Sequence, residues 1–134
     1  MGYRDEMNTL IFGASGYVGG HLASSFKKNG HHVTGFYRNE PDFTDRSLDI
    51  FDKVFTGHIQ DTNLLDQVLA NNFDSIIYCI SLNHHDSQTN IHHAMDVNVN
   101  PIIQVLERIK GKNQKFIYFS TMQVYGKYKK GDII

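Results

Sequence analysis

The sequence predicts an α/β fold, a doubly wound parallel sheet of strand order 3-2-1-4-5 with helices on both faces. Three observations predict it. Short apolar runs alternate with stretches of helical periodicity along the chain, the runs are apolar on both sides, and a glycine cluster separates the first run from the first helical stretch. At 134 residues the chain is one domain, large enough for a core but small for an enzyme with separate cofactor and substrate regions.

The first strand is Thr9-Leu10-Ile11-Phe12. Gly13-Ala14-Ser15-Gly16-Tyr17-Val18-Gly19 follows as a tight turn, and an amphipathic helix then runs to Lys28-Asn29-Gly30. His32-Val33-Thr34-Gly35-Phe36-Tyr37 reads as the second strand and Lys53-Val54-Phe55-Thr56-Gly57 as the third, with residues 41–52 irregular apart from a short helical turn. Asp61 or Thr62 can cap a helix through Asn72, because Leu64, Leu65, Val68 and Leu69 recur at helical spacing. Residues 75–80 form the fourth strand. A longer helix is expected over 90–110, with Val97, Ile102, Val105, Leu106 and Ile109 on its buried side and Pro101 either kinking it or marking a late start. Residues 115–120 are the fifth strand. Asn39-Glu40-Pro41-Asp42 and residues 127–130 read as loops.

The turn between the first strand and helix is ordered as a dinucleotide needs it. Gly13 lets the chain leave the strand in a conformation closed to larger residues, Gly16 lets the backbone approach a pyrophosphate, and Gly19 lets the helix pack closely on the sheet. The helix amino terminus then faces the phosphates with free N–H groups and a partial positive charge. The spacing is G-x-x-G-x-x-G rather than G-x-G-x-x-G. A merely flexible turn would not account for its place between a strand pattern and a helix pattern.

Formal net charge is -1, with acids and bases interspersed, so neither a nucleic-acid nor an anionic-membrane partner is expected. The single cysteine, Cys79, lies in the apolar run Ile76-Ile77-Tyr78-Cys79-Ile80 and reads as a buried structural thiol. One cysteine permits no disulfide within the chain, and a cytoplasmic location fits. The charged start, residues 1–6, resembles neither a signal peptide nor a spanning helix.

These residues resemble the extended short-chain dehydrogenase/reductase family, specifically its nucleotide-sugar epimerases, dehydratases and reductases. The resemblance covers essentially the whole chain. It rests on residues 13–19, on Gly57-His58-Ile59 after strand three, on Ile80-Ser81-Leu82 after strand four, on Asn98-Val99-Asn100, and on Phe119-Ser120-Thr121-Met122-Gln123-Val124-Tyr125-Gly126. It implies a Rossmann-type sheet over 1–134 that binds NAD or NADP, with Ser15, Tyr17, Val18, Ile59, Ile80 and Ser81 beside the three glycines at the cofactor. Thr121 takes the position of the catalytic hydroxyl, which hydrogen-bonds the sugar oxygen as hydride moves to or from nicotinamide. The alternative for Ser120 and Thr121 is that they only end a strand. Asn98 matches an asparagine near the cofactor, or is an ordinary mid-helix residue.

Two departures from the family pattern bear on the cofactor. His58 stands where a carboxylate often accepts from the adenine amino group, although a neutral imidazole nitrogen can also accept. Tyr37 stands where an acid would bind the ribose 2′-hydroxyl, and Arg38 follows it. Without the acid a 2′-phosphate is not repelled and the guanidinium can hold it, so NADP(H) is slightly favoured; the other reading of Arg38 is a solvated loop charge.

His84, His85, Asp86, His92 and His93 lie close together, but adjacent histidines point in different directions. A solvated loop and helix start is therefore the better reading than a metal site. The Tyr-x-x-x-Lys pair that the family requires is not found in a suitable setting. Tyr125 and Lys129 have the spacing, yet Gly126 lies between them and residues 127–132 read as a loop. The chain is thus expected to be the amino-terminal portion of a larger enzyme, without the nucleotide-sugar region and inactive alone. It should leave strand five or a helix face uncovered, favouring self-association. The competing reading is a non-catalytic dinucleotide-sensing or scaffolding module.

Overall fold

The computed structural model describes residues 6–120. Within them β1 (Asn8–Phe12), β2 (His32–Tyr37), β3 (Lys53–Thr56), β4 (Ser75–Tyr78) and β5 (Lys115–Tyr118) form one sheet of order β3-β2-β1-β4-β5. All four neighbouring pairs are parallel. The connections carry α1 (Tyr17–Lys28), a 3-10 helix (Arg46–Ile50), α2 (Thr62–Leu69), α3 (His84–Thr89), α4 (Ile91–Asn98) and α5 (Asn100–Ile109). The sheet and its order are those the apolar runs predict.

Strand side chains alternate between two cores. Leu10 and Phe12 of β1 join Phe36, Ile76 and Tyr78 on one face, where Leu65, Val68 and Leu69 of α2 and Val105 and Ile109 of α5 cover them. Ile11, Val33 and Ile77 point the other way, onto Leu22, Ala23 and Phe26 of α1 with Ile50 and Phe51 at the end of the 3-10 helix. Each fully buried aliphatic or aromatic side chain contributes about 1.5–3 kcal/mol, so the two layers hold the strand ends where the loops leave them. The buried hydroxyls of Thr9 and Ser75 satisfy each other across β1 and β4 at 2.9 Å.

Several boundaries differ from the sequence expectation. The helix expected over 90–110 is two helices, because Val99 leaves helical geometry (φ −121°, ψ −58°). Pro101 is in the first turn of α5, where its missing N–H is no loss; it marks a late start and not a kink. His84–Thr89 is a short helix where a loop was expected, begun by Asn83, whose side chain accepts from the Asp86 N–H. The second helix ends at Leu69 instead of residue 72, as the Asn71 amide turns back onto the Gln67 and Val68 carbonyls at 3.1 and 3.0 Å. Strand three ends at Thr56, and Gly57 follows in the left-hand half of backbone space (φ +152°). Strand four ends at Tyr78 and strand five at Tyr118, short of residues 80 and 120. The reason is shared: Gly13 turns β1 away after Phe12, so β4 loses its ladder partner there, and β5 then loses β4.

Apolar surface is left uncovered where it was expected. Ile117, Tyr118 and Phe119 at the β5 edge, and Ile103 and Leu106 on α5, are all more than 40% exposed. Among the described residues no helix is long and apolar enough to cross a membrane.

Candidate functional site

β1 sits between β2 and β4, and the chain leaves their carboxyl ends toward opposite layers. A crevice opens at that switch point. It holds a cavity of about 450 Å³ lined by the glycine turn, the ends of β2 and β4, the loop after β3 and one face of α4.

The turn is built on close backbone approach. Gly13 has φ +82°, and a Cβ there would stand 3.0 Å from the Cys79 carbonyl carbon. Its N–H and that of Ala14 both donate to the Phe36 carbonyl at 3.2 Å, anchoring the turn to β2. The Gly16 N–H donates to the Gly13 carbonyl at 3.0 Å. A Cβ on Gly19 would drive into that same carbonyl oxygen, so glycine alone lets α1 come this near. Helices α2, α3 and α4 each begin under a side-chain cap from Asp61, Asn83 and Asn90. At α1 the cap position is Gly16, with no capping side chain and no acid in the first turn, which leaves its amino end able to meet an anion.

The structure gathers Gly13, Ser15, Gly16, Arg38, His58, Ile59, Ile80 and Ser81 around the cavity. It places the other candidates elsewhere. Tyr17 is largely exposed and faces a second cavity of about 660 Å³ between α1 and the 3-10 helix; Val18 lines neither. Tyr37 also faces that second cavity, with its ring edge-on to Phe51 at 5.7 Å. Burial, and then the nearby Asp45 charge, hold the Tyr37 phenol above its usual value. Asn98 does not line the cavity; its Oδ1 accepts from the Leu82 N–H at 2.8 Å and so holds the loop after β4. Thr121, Tyr125, Lys129 and the loop expected over 127–130 lie outside the described residues.

Seven residues on the cavity wall went unassigned to it by sequence reasoning: Phe36, Gly57, Gln60, Cys79, Leu82, His93 and Val97. Cys79 is only partly buried, and that burial pushes its thiol upward. His93 and Val97 are i, i+4 neighbours on α4, a spacing that could have revealed a shared face. The period-2 rule likewise separates Tyr37 from Arg38. Among the described residues no Asp or Glu lines the cavity, while Arg38, His58 and His93 do, a balance suited to a phosphorylated ligand. No three His, Cys, Asp or Glu among the described residues are grouped to hold a metal ion.

A parallel 3-2-1-4-5 sheet with a glycine turn opening an uncapped helix at its switch point defines a Rossmann-type domain. The model of the NAD dependent epimerase/dehydratase family matches residues 9–133, and the chain belongs to that family. An uncharacterized protein of Saccharomyces cerevisiae is 28% identical over 113 residues, spanning 84% of this chain and 37% of the relative. Among solved structures, the ADP-L-glycero-D-manno-heptose-6-epimerase of Helicobacter pylori superposes with a TM-score of 0.79 at 25% identity, covering 97% of this chain and 44% of that one. The UDP-glucose 4-epimerase of Bifidobacterium longum, solved with NAD+ and UDP, gives a TM-score of 0.78 at 25% identity, covering 89% and 38%. This chain therefore spans less than half the length of these relatives.

Proposed function

We propose that this chain is the cofactor-binding portion of an NAD(P)-dependent nucleotide-sugar epimerase, dehydratase or 4-keto-sugar reductase. One observation carries the reading: the glycine turn presents the uncapped start of α1 at the switch point of the sheet, beside a cavity that no Asp or Glu lines among the described residues. In this reading the backbone at Ser15 and Gly16 cradles the pyrophosphate, Ile59 and Val97 flank the adenosine half, and Ser81 lies toward the reacting half. Bound nicotinamide would supply hydride chemistry. Thr121 would supply the hydroxyl that steadies charge on the sugar oxygen. The epimerase relatives, one solved with NAD+ and UDP, support a nucleotide-sugar as substrate.

Arg38 on the cavity wall, with no acid beside it there, supports a preference for NADP(H). Arg38→Ala should weaken NADP(H) far more than NAD(H), and tighter binding of NAD(H) by the unmodified chain would sink that preference.

Gly16→Val is the direct test of the site. A Cβ at Gly16 stands 3.3 Å from the Gly13 carbonyl oxygen, a tight backbone contact, and the valine methyls fill the cavity mouth, so folding of the variant is measured beside its binding. Calorimetry with NAD+ and NADP+ should show binding lost in a folded variant. Undiminished affinity would overturn the reading.

A further inference from the structure

The last turn of α4 is held from another element. In an unbroken helix the Val97 carbonyl would accept from the N–H of residue 101, but that residue is Pro101, which has none. α5 starts afresh on Val99, whose carbonyl accepts from the Ile102 and Ile103 N–H groups at 3.1 and 3.3 Å. The Val97 carbonyl takes instead the hydroxyl of Tyr78, the last residue of β4, which donates to it at 3.2 Å.

Tyr78 is fixed in that position. It has no exposed surface, and its ring lies against Phe12 at 5.6 Å and against Phe116 and Tyr118 at 6.3 Å. A hydroxyl on so confined a ring has little water to turn to, and the carbonyl gives it a partner. Burial, and then the Tyr118 phenol beside it, keep the proton on Tyr78, so the hydroxyl stays a donor. The next residue of α4 ties the same turn a second time, because Asn98 accepts from the Leu82 N–H at 2.8 Å. Val97, Ser81 and Leu82 all line the cavity.

We propose that Tyr78 is a positioning residue for the cavity: by taking the carbonyl that Pro101 cannot serve, its hydroxyl pins the last turn of α4 to the end of β4 and so sets where Val97 and the loop at Ser81 and Leu82 stand. Its effect on a ligand rests on the dinucleotide reading above; the tether itself is read without one. Satisfying the carbonyl and tethering the helix are separable. An N–H at position 101 would do the first from within the helix and contribute nothing to the second, since it makes no link to β4.

The test is a double-mutant cycle of Tyr78→Phe and Pro101→Ala, read three ways. Tyr78→Phe keeps the ring and removes the hydroxyl. In the chain that keeps Pro101 it should raise the unfolding constant about tenfold by stranding the carbonyl, and in the Pro101→Ala background about threefold or less. Each cost is taken within its own background, so the volume lost at the buried Pro101 drops out. Amide exchange should divide differently. The Leu82 N–H should exchange about tenfold faster in both chains that carry Tyr78→Phe, while that of Cys79, which donates to the Phe12 carbonyl at 2.9 Å, should follow global stability and recover in the double variant. NAD+ affinity, measured by calorimetry, should fall about three- to tenfold in both, each against its own parent. A role in stability alone would move all three readouts together. Leu82 exchange unchanged in the folded Tyr78→Phe chain, or restored with stability in the double variant, would overturn the inference, and so would an equal unfolding cost in both backgrounds. Failure of the unmodified chain to bind NAD+ would overturn the dinucleotide reading, and the exchange result would still decide the tether.

Discussion

The side-chain oxygen of Asn98 accepts a hydrogen bond from the backbone N–H of Leu82 at 2.8 Å, joining the end of α4 to the loop that leaves β4. Its amide nitrogen reaches the Ser87 hydroxyl of α3 at 3.4 Å. One side chain therefore ties together three segments, and two residues of the loop it holds, Ser81 and Leu82, form part of the cavity wall. Asn98 shapes the site from behind.

Replacing Asn98 with Leu should cost about 0.5–1.5 kcal/mol of stability by leaving the Leu82 N–H without its partner. Dinucleotide affinity should fall with it, because the wall at Ser81 loses its support. Asn98→Asp keeps the acceptor and should retain most of both. Urea unfolding and calorimetry on the two variants check this; equal losses in both would mean that the accepting oxygen is not what matters.

Gly13 and Gly30 have nearly the same backbone angle, φ +82° and +80°, but different surroundings. A Cβ on Gly30 meets nothing within 4 Å, so Gly30→Ala should cost only the conformational penalty, about 1–2 kcal/mol. At Gly13 the added carbon stands 3.0 Å from the Cys79 carbonyl carbon and 3.1 Å from its oxygen, backbone atoms that cannot swing aside. Gly13→Ala should therefore lose a further amount of about 1–3 kcal/mol. Equal losses at the two positions, measured by denaturant unfolding, would remove close packing from the explanation of the turn.

Asp52 should stabilise the fold in a pH-dependent way. Burial opposes its ionisation, but hydrogen bonds from Lys27 Nζ at 2.6 Å and the Val33 N–H at 2.8 Å, with the charges of Lys27 and His32, outweigh that and hold its carboxyl below the usual value. A carboxyl lowered by folding contributes fully above its unfolded value, about 3.9, and loses that contribution as pH falls through the lower folded value. The stability difference between the unmodified chain and Asp52→Asn should hold from pH 7 to about pH 5 and shrink below about pH 4. Thermal unfolding at pH 7, 5 and 3 tests this, and a difference that grows on acidification would contradict it.

Much of the fold was legible because burial leaves a local record. Leu10 and Phe12 alternate with Ile11 since β1 is packed on both faces, and Leu65, Val68 and Leu69 recur at helical spacing because α2 covers one of them. The break at Val99 was harder to see. Val97, Ile102 and Val105 keep a helical apolar pattern across it, while the departure at Val99 is a backbone event that the pattern does not register.

The sequence by itself determined the order of strands and helices, the strand-to-helix place of residues 13–19, and the need for glycine at positions 13 and 19, because these depend on neighbours along the chain. Tertiary structure decided which side chains share the cavity. Tyr37 turns to Phe51 while Arg38 faces the crevice, Asn98 braces the loop behind the wall, and Gln60 and His93 line one cavity from segments that no periodicity links. Periodicity records how one element meets its own layer. A cavity bounded by several elements depends on where those layers bring distant loops, and that is set only when the sheet is assembled.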